Sequence, residues 1–142
     1  MIGGGKTIIA NTDFHLADDN SRIVIGNDFT MESGHIAATE GATINIGNDC
    51  MFSNDVEIRN GDSHSILDAS SGKRINHAQN VNIGNHVWLG AHSRILKGSI
   101  IPDNCIIGNS ALVSGKLSEE NTAYGGIPAK SLKSNINWSR QR

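Results

Sequence analysis

The sequence predicts an all-β chain wound as a parallel solenoid, and three observations carry that expectation. The tripeptide Ile-Gly-Asn occurs four times, at Ile25-Gly26-Asn27, Ile46-Gly47-Asn48, Ile83-Gly84-Asn85 and Ile107-Gly108-Asn109. Aliphatic residues recur every six positions through Ile83, Leu89, Ile95, Ile101, Ile107 and Val113. Aromatic residues are only 4% of the chain while 16 of its 142 residues are glycine, which implies an aliphatic core and many special backbone positions. A six-residue period fits neither a 3.6-residue helix nor a long alternating strand. It fits very short strands, each followed by a turn, in stacked coils that bury one another's apolar faces.

The elements follow in order. Two earlier runs keep the same step, Ile25, Met31 and Ala37, then Ile46, Phe52 and Ile58, for twelve hexads in all. A second inward series stands four residues after the first, with Cys50, Val56, Val87, Ser93, Ser99, Cys105, Ala111 and Leu117. Both cysteines thus have places in the core as free thiols. Between Ile46 and Ile83 the repeat is stretched by 19 residues beyond one 18-residue coil. The surplus forms a polar excursion over about residues 59–82. After Val113 the repeat weakens, and the chain reads as one domain, 1–130, with a short basic tail, 131–142. That tail is expected either to lie in solvent or to serve a ligand.

A net charge of -2, with 37% apolar and 18% charged residues, excludes a general nucleic-acid binder and a disordered chain. No apolar run reaches the roughly 18 residues that span a bilayer, and Met1 to Lys6 lack the apolar stretch of a signal peptide. A cytoplasmic protein without membrane insertion is expected.

The Ile-Gly hexads, the segment Ile83-Gly84-Asn85-His86-Val87-Trp88-Leu89-Gly90-Ala91 and the exit Gly125-Gly126-Ile127-Pro128-Ala129-Lys130 resemble the hexapeptide-repeat acyltransferases. The resemblance covers about residues 23–130 and implies a left-handed parallel β-helix with three hexads per triangular coil, here four well-formed coils. Residues 18 apart then stack, setting Trp88 under Ile106, Arg94 under Leu112 and Ile100 under Ser118. Ile100, Ile106 and Leu112 point outward and are expected to form an apolar strip, which calls for a partner surface or a ligand. The resemblance supplies it: a homotrimer with acetyl-coenzyme A in the groove between two prisms. By the same resemblance Trp88, Ala91 and Ile106 line that groove, and Lys130 and Lys133 bind the coenzyme's phosphates.

His64 sits where the excursion leaves the solenoid, among small and polar residues, and histidine is the side chain suited to general-base work near neutral pH. Gly61-Asp62-Ser63-His64, followed 24 residues after His64 by Trp88, is similar to the subgroup that O-acetylates sialic acid polymers and other surface polysaccharides. His64 and Trp88 inherit catalytic roles by that match. His64 would take the proton of a sugar hydroxyl as it attacks the thioester, with Asp62, Asp68 or a backbone carbonyl orienting the imidazole. An acetyl-serine on Ser63 or Ser65 ranks lower, since no Gly-x-Ser-x-Gly elbow is present.

His86 and His92 are expected to be surface residues. A zinc site of the kind some related solenoids use for carbonic anhydrase chemistry needs a histidine pair five residues apart, and no two histidines here have that spacing, so no metal is expected. Gly126-Ile127 stands where the family more often has Gly-Asn, which bears on the substrate more than on the reaction. Two other readings remain open from sequence: N-acetylation of a nucleotide-linked amino sugar, and a non-catalytic solenoid serving as a binding module.

Overall fold

Each hexad makes one short strand and one corner, and three of them close a triangular turn. The computed structural model describes residues 1–142 and contains sixteen strands and no helix. The first coil holds β1 (Ile8–Ile9) and β2 (Thr12–Leu16), with Ile2 bridging to Ile25. The second holds β3 (Arg22–Ile25), β4 (Thr30–Met31) and β5 (Gly34–Ala38), and the third β6 (Thr43–Ile46), β7 (Met51–Phe52) and β8 (Val56–Arg59). The fourth holds β9 (Val81–Ile83), β10 (Trp88–Leu89) and β11 (Arg94–Ile95), and the fifth β12 (Ile100–Ile101), β13 (Ile106–Ile107) and β14 (Leu112–Val113). The chain ends in β15 (Ala123–Gly125) and β16 (Lys130–Lys133).

Like strands stack into three faces: A (β3, β6, β9, β12), B (β1, β4, β7, β10, β13, β15, β16) and C (β2, β5, β8, β11, β14), parallel throughout except for β16. This is the left-handed parallel β-helix expected, with five coils rather than four. The first coil escaped the sequence reading because its Ile2-Gly3 corner carries Gly4 in place of the asparagine and most of β2 is exposed.

The repeat motif has a physical cause. Three of the four Ile-Gly-Asn motifs close strands of face A, and their asparagines form a ladder up the prism. Asn27 Oδ1 accepts from Gly4 N–H, Asn48 Oδ1 from Asn27, and Asn85 Oδ1 from Asn48, each at 2.8 Å, and Asp103 Oδ1 continues the series at 2.7 Å. The glycine is obligatory because a Cβ on Gly47 would stand 2.6 Å from Asn85 Oδ1. The next residue turns the corner at positive φ, 57° at Asp28, 53° at Asp49 and 53° at His86, where Asn, Asp and His are the side chains best tolerated. Asn109 serves another corner, accepting from Ala91 N–H at 3.0 Å.

The core is a column of inward side chains, with Ile44, Ile58, Leu89, Ile95 and Ile107 fully buried, and Phe29 and Phe52 meeting edge to face at 4.9 Å. Cys50 and Cys105 lie in it as free thiols, and burial pushes the Cys50 thiol up to about 12. Trp88 stacks on Ile106 and Arg94 on Leu112, as the 18-residue repeat requires.

Four details differ from the sequence reading. Ala37 faces outward and Ile36 inward, because Gly34 cuts the corner so closely under Val56 that a Cβ would lie 2.0 Å from its carbonyl oxygen. Ile100 pairs with Lys116, not Ser118, since Gly115 at φ 107° tightens the last turn. Ile100, Ile106 and Leu112 do not form one strip: hexad spacing puts one on each face. The tail is also no loose appendage. β16 pairs with β15, Trp138 is buried, and Arg140 reaches Thr30 Oγ1 at 2.7 Å and the Cys50 carbonyl at 3.1 Å. The tail therefore runs as a strap back down the edge between faces A and B.

Candidate active site

Residues 60–80 leave the prism between β8 and β9. Gly61 marks the exit, where a Cβ would stand 2.4 Å from Thr39 Cγ2. Beyond it the chain makes a hairpin closed by Ile75 N–H to Ile66 O at 2.9 Å and Asp68 N–H to Lys73 O at 2.8 Å. The root of this hairpin is organised by Asn76, which is buried. Its Nδ2 donates to the His64 carbonyl at 2.7 Å and to Asp62 Oδ2 at 3.0 Å, while its Oδ1 accepts from Ile66 N–H at 2.7 Å and Arg74 Nε at 3.1 Å. Lys97 donates to Asp62 from the next coil, and Arg74 pairs with Glu40, whose other oxygen accepts from Ala78 N–H at 2.9 Å.

His64 is thereby held by its backbone while its side chain stays exposed, with no hydrogen bond to either ring nitrogen. Neither candidate carboxylate orients the imidazole. Lys97 and Asn76 engage Asp62 and hold its carboxyl below the usual range, and the amides of Ser71 and Ser70 do the same to Asp68 inside the hairpin. What fixes His64 is an amide that sequence reasoning passed over.

Trp88 stands on face B, in an outward row running Ile8, Thr30, Met51, Trp88, Ile106, Ala123. Met51, Trp88 and Ile106 make the middle of that row apolar. The Trp88 ring lies 6.1 Å from that of Trp138, and its indole N–H is buried without a partner. His86 is no plain surface residue: it stacks on Trp138 at 4.0 Å, shares Asp49 through Nδ1 at 2.6 Å, and its carbonyl accepts the Trp138 indole N–H at 2.8 Å. His92 remains exposed, beside Asp55 at 2.8 Å.

His64 follows the end of face C and Trp88 stands on face B, so one chain does not bring them together. Ala91 follows β10 with its N–H already given to Asn109, and Ile106 lies one coil above Trp88. Lys130 and Lys133 are exposed on β16, at the end of the prism beyond Ile106. No three His, Cys, Asp or Glu side chains converge as a metal ligand set would.

The fold and this arrangement define an acyltransferase-type solenoid, with a histidine-bearing loop on one face and an indole on another. Residues 80–115 match the family model described as bacterial transferase hexapeptide (six repeats). The solved structure of the polysialic acid O-acetyltransferase OatWY aligns over 100% of this chain and 92% of its own, at TM-score 0.84 and 30% identity. The polySia-specific acetyltransferase NeuO aligns over 98% and 87%, at TM-score 0.68 and 26% identity. In sequence the chain is 46% identical over 112 residues to a polysialic acid O-acetyltransferase of Neisseria meningitidis, covering 79% of this chain and 52% of that protein. It is 36% identical over 125 residues to one of Escherichia coli O1:K1 / APEC, covering 88% and 40%. The chain spans about half the length of the curated relatives it matches. It belongs to the hexapeptide-repeat acyltransferase family.

Proposed function

We propose that the protein is an acetyl-coenzyme A dependent O-acetyltransferase acting on a sugar hydroxyl of a sialic acid or capsular polysaccharide, with His64 as general base. The observation that carries this reading is His64 itself, an exposed imidazole on a backbone clamped by buried Asn76. His64 takes the proton of the acceptor hydroxyl as its oxygen attacks the thioester carbonyl, then returns that proton to the departing coenzyme thiolate. The C–S bond breaks as the ester C–O bond forms.

Trp88 completes the site from a neighbouring copy in a homotrimer, because the two residues stand on different faces of one prism. The apolar row of face B and the exposed hairpin residues Ile66, Leu67 and Ile75 supply surface for that assembly. The same row, with Ala91 at its edge, takes the acyl end of acetyl-coenzyme A, and Lys130 and Lys133 its phosphates. The indole N–H of Trp88 is unpartnered but buried in the single chain, so its donation to the thioester oxygen requires the side chain to turn toward the groove. Acetyl-coenzyme A is a cytoplasmic metabolite, which sets the reaction there. No helix of the structure is long and apolar enough to cross a membrane.

The test is release of coenzyme A thiol with sialic acid oligomers, capsule fragments and nucleotide amino sugars as acceptors. Release with the acidic polysaccharides supports the reading. Release with amino sugars alone transfers the protein to the N-acetylating branch, and none with any acceptor makes it a binding module.

A further inference from the structure

The largest concavity on the molecule, about 410 Å³, lies on face C below the exit of the His64 loop. It exists because of the outward row His15, Ala37, Arg59 on three successive coils. Coils stack about 4.8 Å apart, so His15 and Arg59 stand roughly 10 Å from each other with only the Ala37 methyl between them. Ser63, the residue before His64, forms the upper lip, and Asp18 and Thr39 form one wall.

The chemistry of this cleft is that of a site for a polyhydroxylated anion. Asp18 Oδ2 is fixed at 2.7 Å by both the Glu40 N–H and the Thr39 hydroxyl, which hold its carboxyl below the usual range and leave Oδ1 to accept a hydroxyl. Arg59 spends only its Nε, on Glu57, and both its Nη groups are without a partner. Glu57 is also engaged by Arg94 Nε at 3.0 Å, and Arg94 in turn reaches Asp55 at 3.2 Å, so the Glu57 carboxylate is held from two sides and the Nη edge of Arg59 stays open. A free guanidinium edge is the group best shaped to take a carboxylate.

We propose that this cleft is an acceptor subsite: it holds the acidic sugar next to the one acetylated at His64, with the Arg59 Nη groups on its carboxylate and its ring over Ala37. The assignment rests on the acetyltransferase reading above and adds to it where the polymer runs, down face C toward the first coil.

Two variants test it by different means. Arg59→Gln removes the charge, and Ala37→Leu fills the floor from an outward position without touching a polar group. Each is compared with wild type in acetyl transfer to sialic acid oligomers, and each is titrated with the same oligomers by NMR in a His64→Ala background. Loss of a charge-assisted hydrogen bond predicts a rise of about 10- to 100-fold in acceptor KM for Arg59→Gln. The rise should collapse with carboxyl-reduced oligomers, and the KM for acetyl-coenzyme A should stay within about twofold. Ala37→Leu should weaken both oligomer forms, and amide shifts of residues 37 and 59 should move in the parent titration. Wild-type acceptor KM in both folded variants, in an enzyme that does acetylate the oligomers, overturns the subsite alone. No transfer and no binding by the wild type overturns the acetyltransferase reading, and the subsite with it.

Discussion

The Asn76 side-chain amide donates to the His64 carbonyl at 2.7 Å from a buried position, and the same amide accepts from Ile66 N–H two residues further on. One side chain thus brackets the proposed base on both sides. Asn76→Ala leaves the Ile66 N–H without its acceptor and the Asp62 carboxylate with one donor fewer, each at about 1 kcal/mol because water reaches both residues. The cost falls on the loop, because the stacked core makes no use of Asn76. Turnover should drop about 10- to 100-fold with little change in the acetyl-coenzyme A KM, and exchange of the Ile66 amide should quicken. An Asn76→Ala protein with normal turnover and a protected Ile66 amide would show that the clamp does not position His64.

The loop root is also acid-sensitive in a definite direction. Lys97 and Asn76 lower the pKa of Asp62, and the Ala78 amide and Arg74 lower that of Glu40. Folded-state values below the unfolded ones mean that these groups stabilise the structure above about pH 4 and lose that contribution as pH falls through the lowered values. Hydrogen-exchange protection of the Ile66 and Ala78 amides should therefore hold from neutral pH to about pH 4 and fall below it, ahead of core unfolding. Loss of protection that begins well above pH 5 would contradict the assignment.

Sequence periodicity exposed whatever depends on one coil lying on the next: the inward hexad series, the free thiols and the stacking of Trp88 on Ile106. It failed where a local feature broke the step. Gly34 shortens one corner and turns Ala37 outward, and that shift puts the smallest side chain at the floor of the face C cleft. His64 could be singled out because a histidine beside a polar excursion is unusual in an aliphatic repeat. Asn76 could not, since one asparagine in a loop rich in Ser, Asp and Asn carries no signal until the chain closes on it. The tail was read by its charge, whereas its anchor is Trp138, whose partner His86 is 52 residues away.

Trp88 separates stability from activity. Its indole N–H is buried with no acceptor, a state that costs free energy. Trp88→Phe keeps most of the apolar contact and deletes the donor, so thermal stability should be unchanged or higher. If that N–H meets the thioester oxygen, the same variant should lose about 100- to 1,000-fold in turnover. Unchanged turnover would reduce Trp88 to packing on face B.

Placement of His64 and Trp88 on different faces makes a prediction about subunits. Neither His64→Ala nor Trp88→Phe homotrimers should be active, yet trimers refolded from an equal mixture of the two chains should regain part of the wild-type rate. Sites pairing an intact His64 with an intact Trp88 form only in the mixture. A mixture no better than its components would show that the two residues do not meet across a subunit boundary.

The central claim is that His64 removes the acceptor proton. Its side chain lies outside the core and bonds to nothing in the fold, so His64→Ala should keep the β-solenoid and its thermal transition. General-base catalysis contributes about 100- to 10,000-fold. The measurement is the rate of coenzyme A release at saturating acetyl-coenzyme A and saturating sialic acid oligomer, in wild type and in His64→Ala. A folded variant whose rate is down at least about 100-fold is the result expected. A folded variant that retains more than about a tenth of the wild-type rate would show that His64 is not the base.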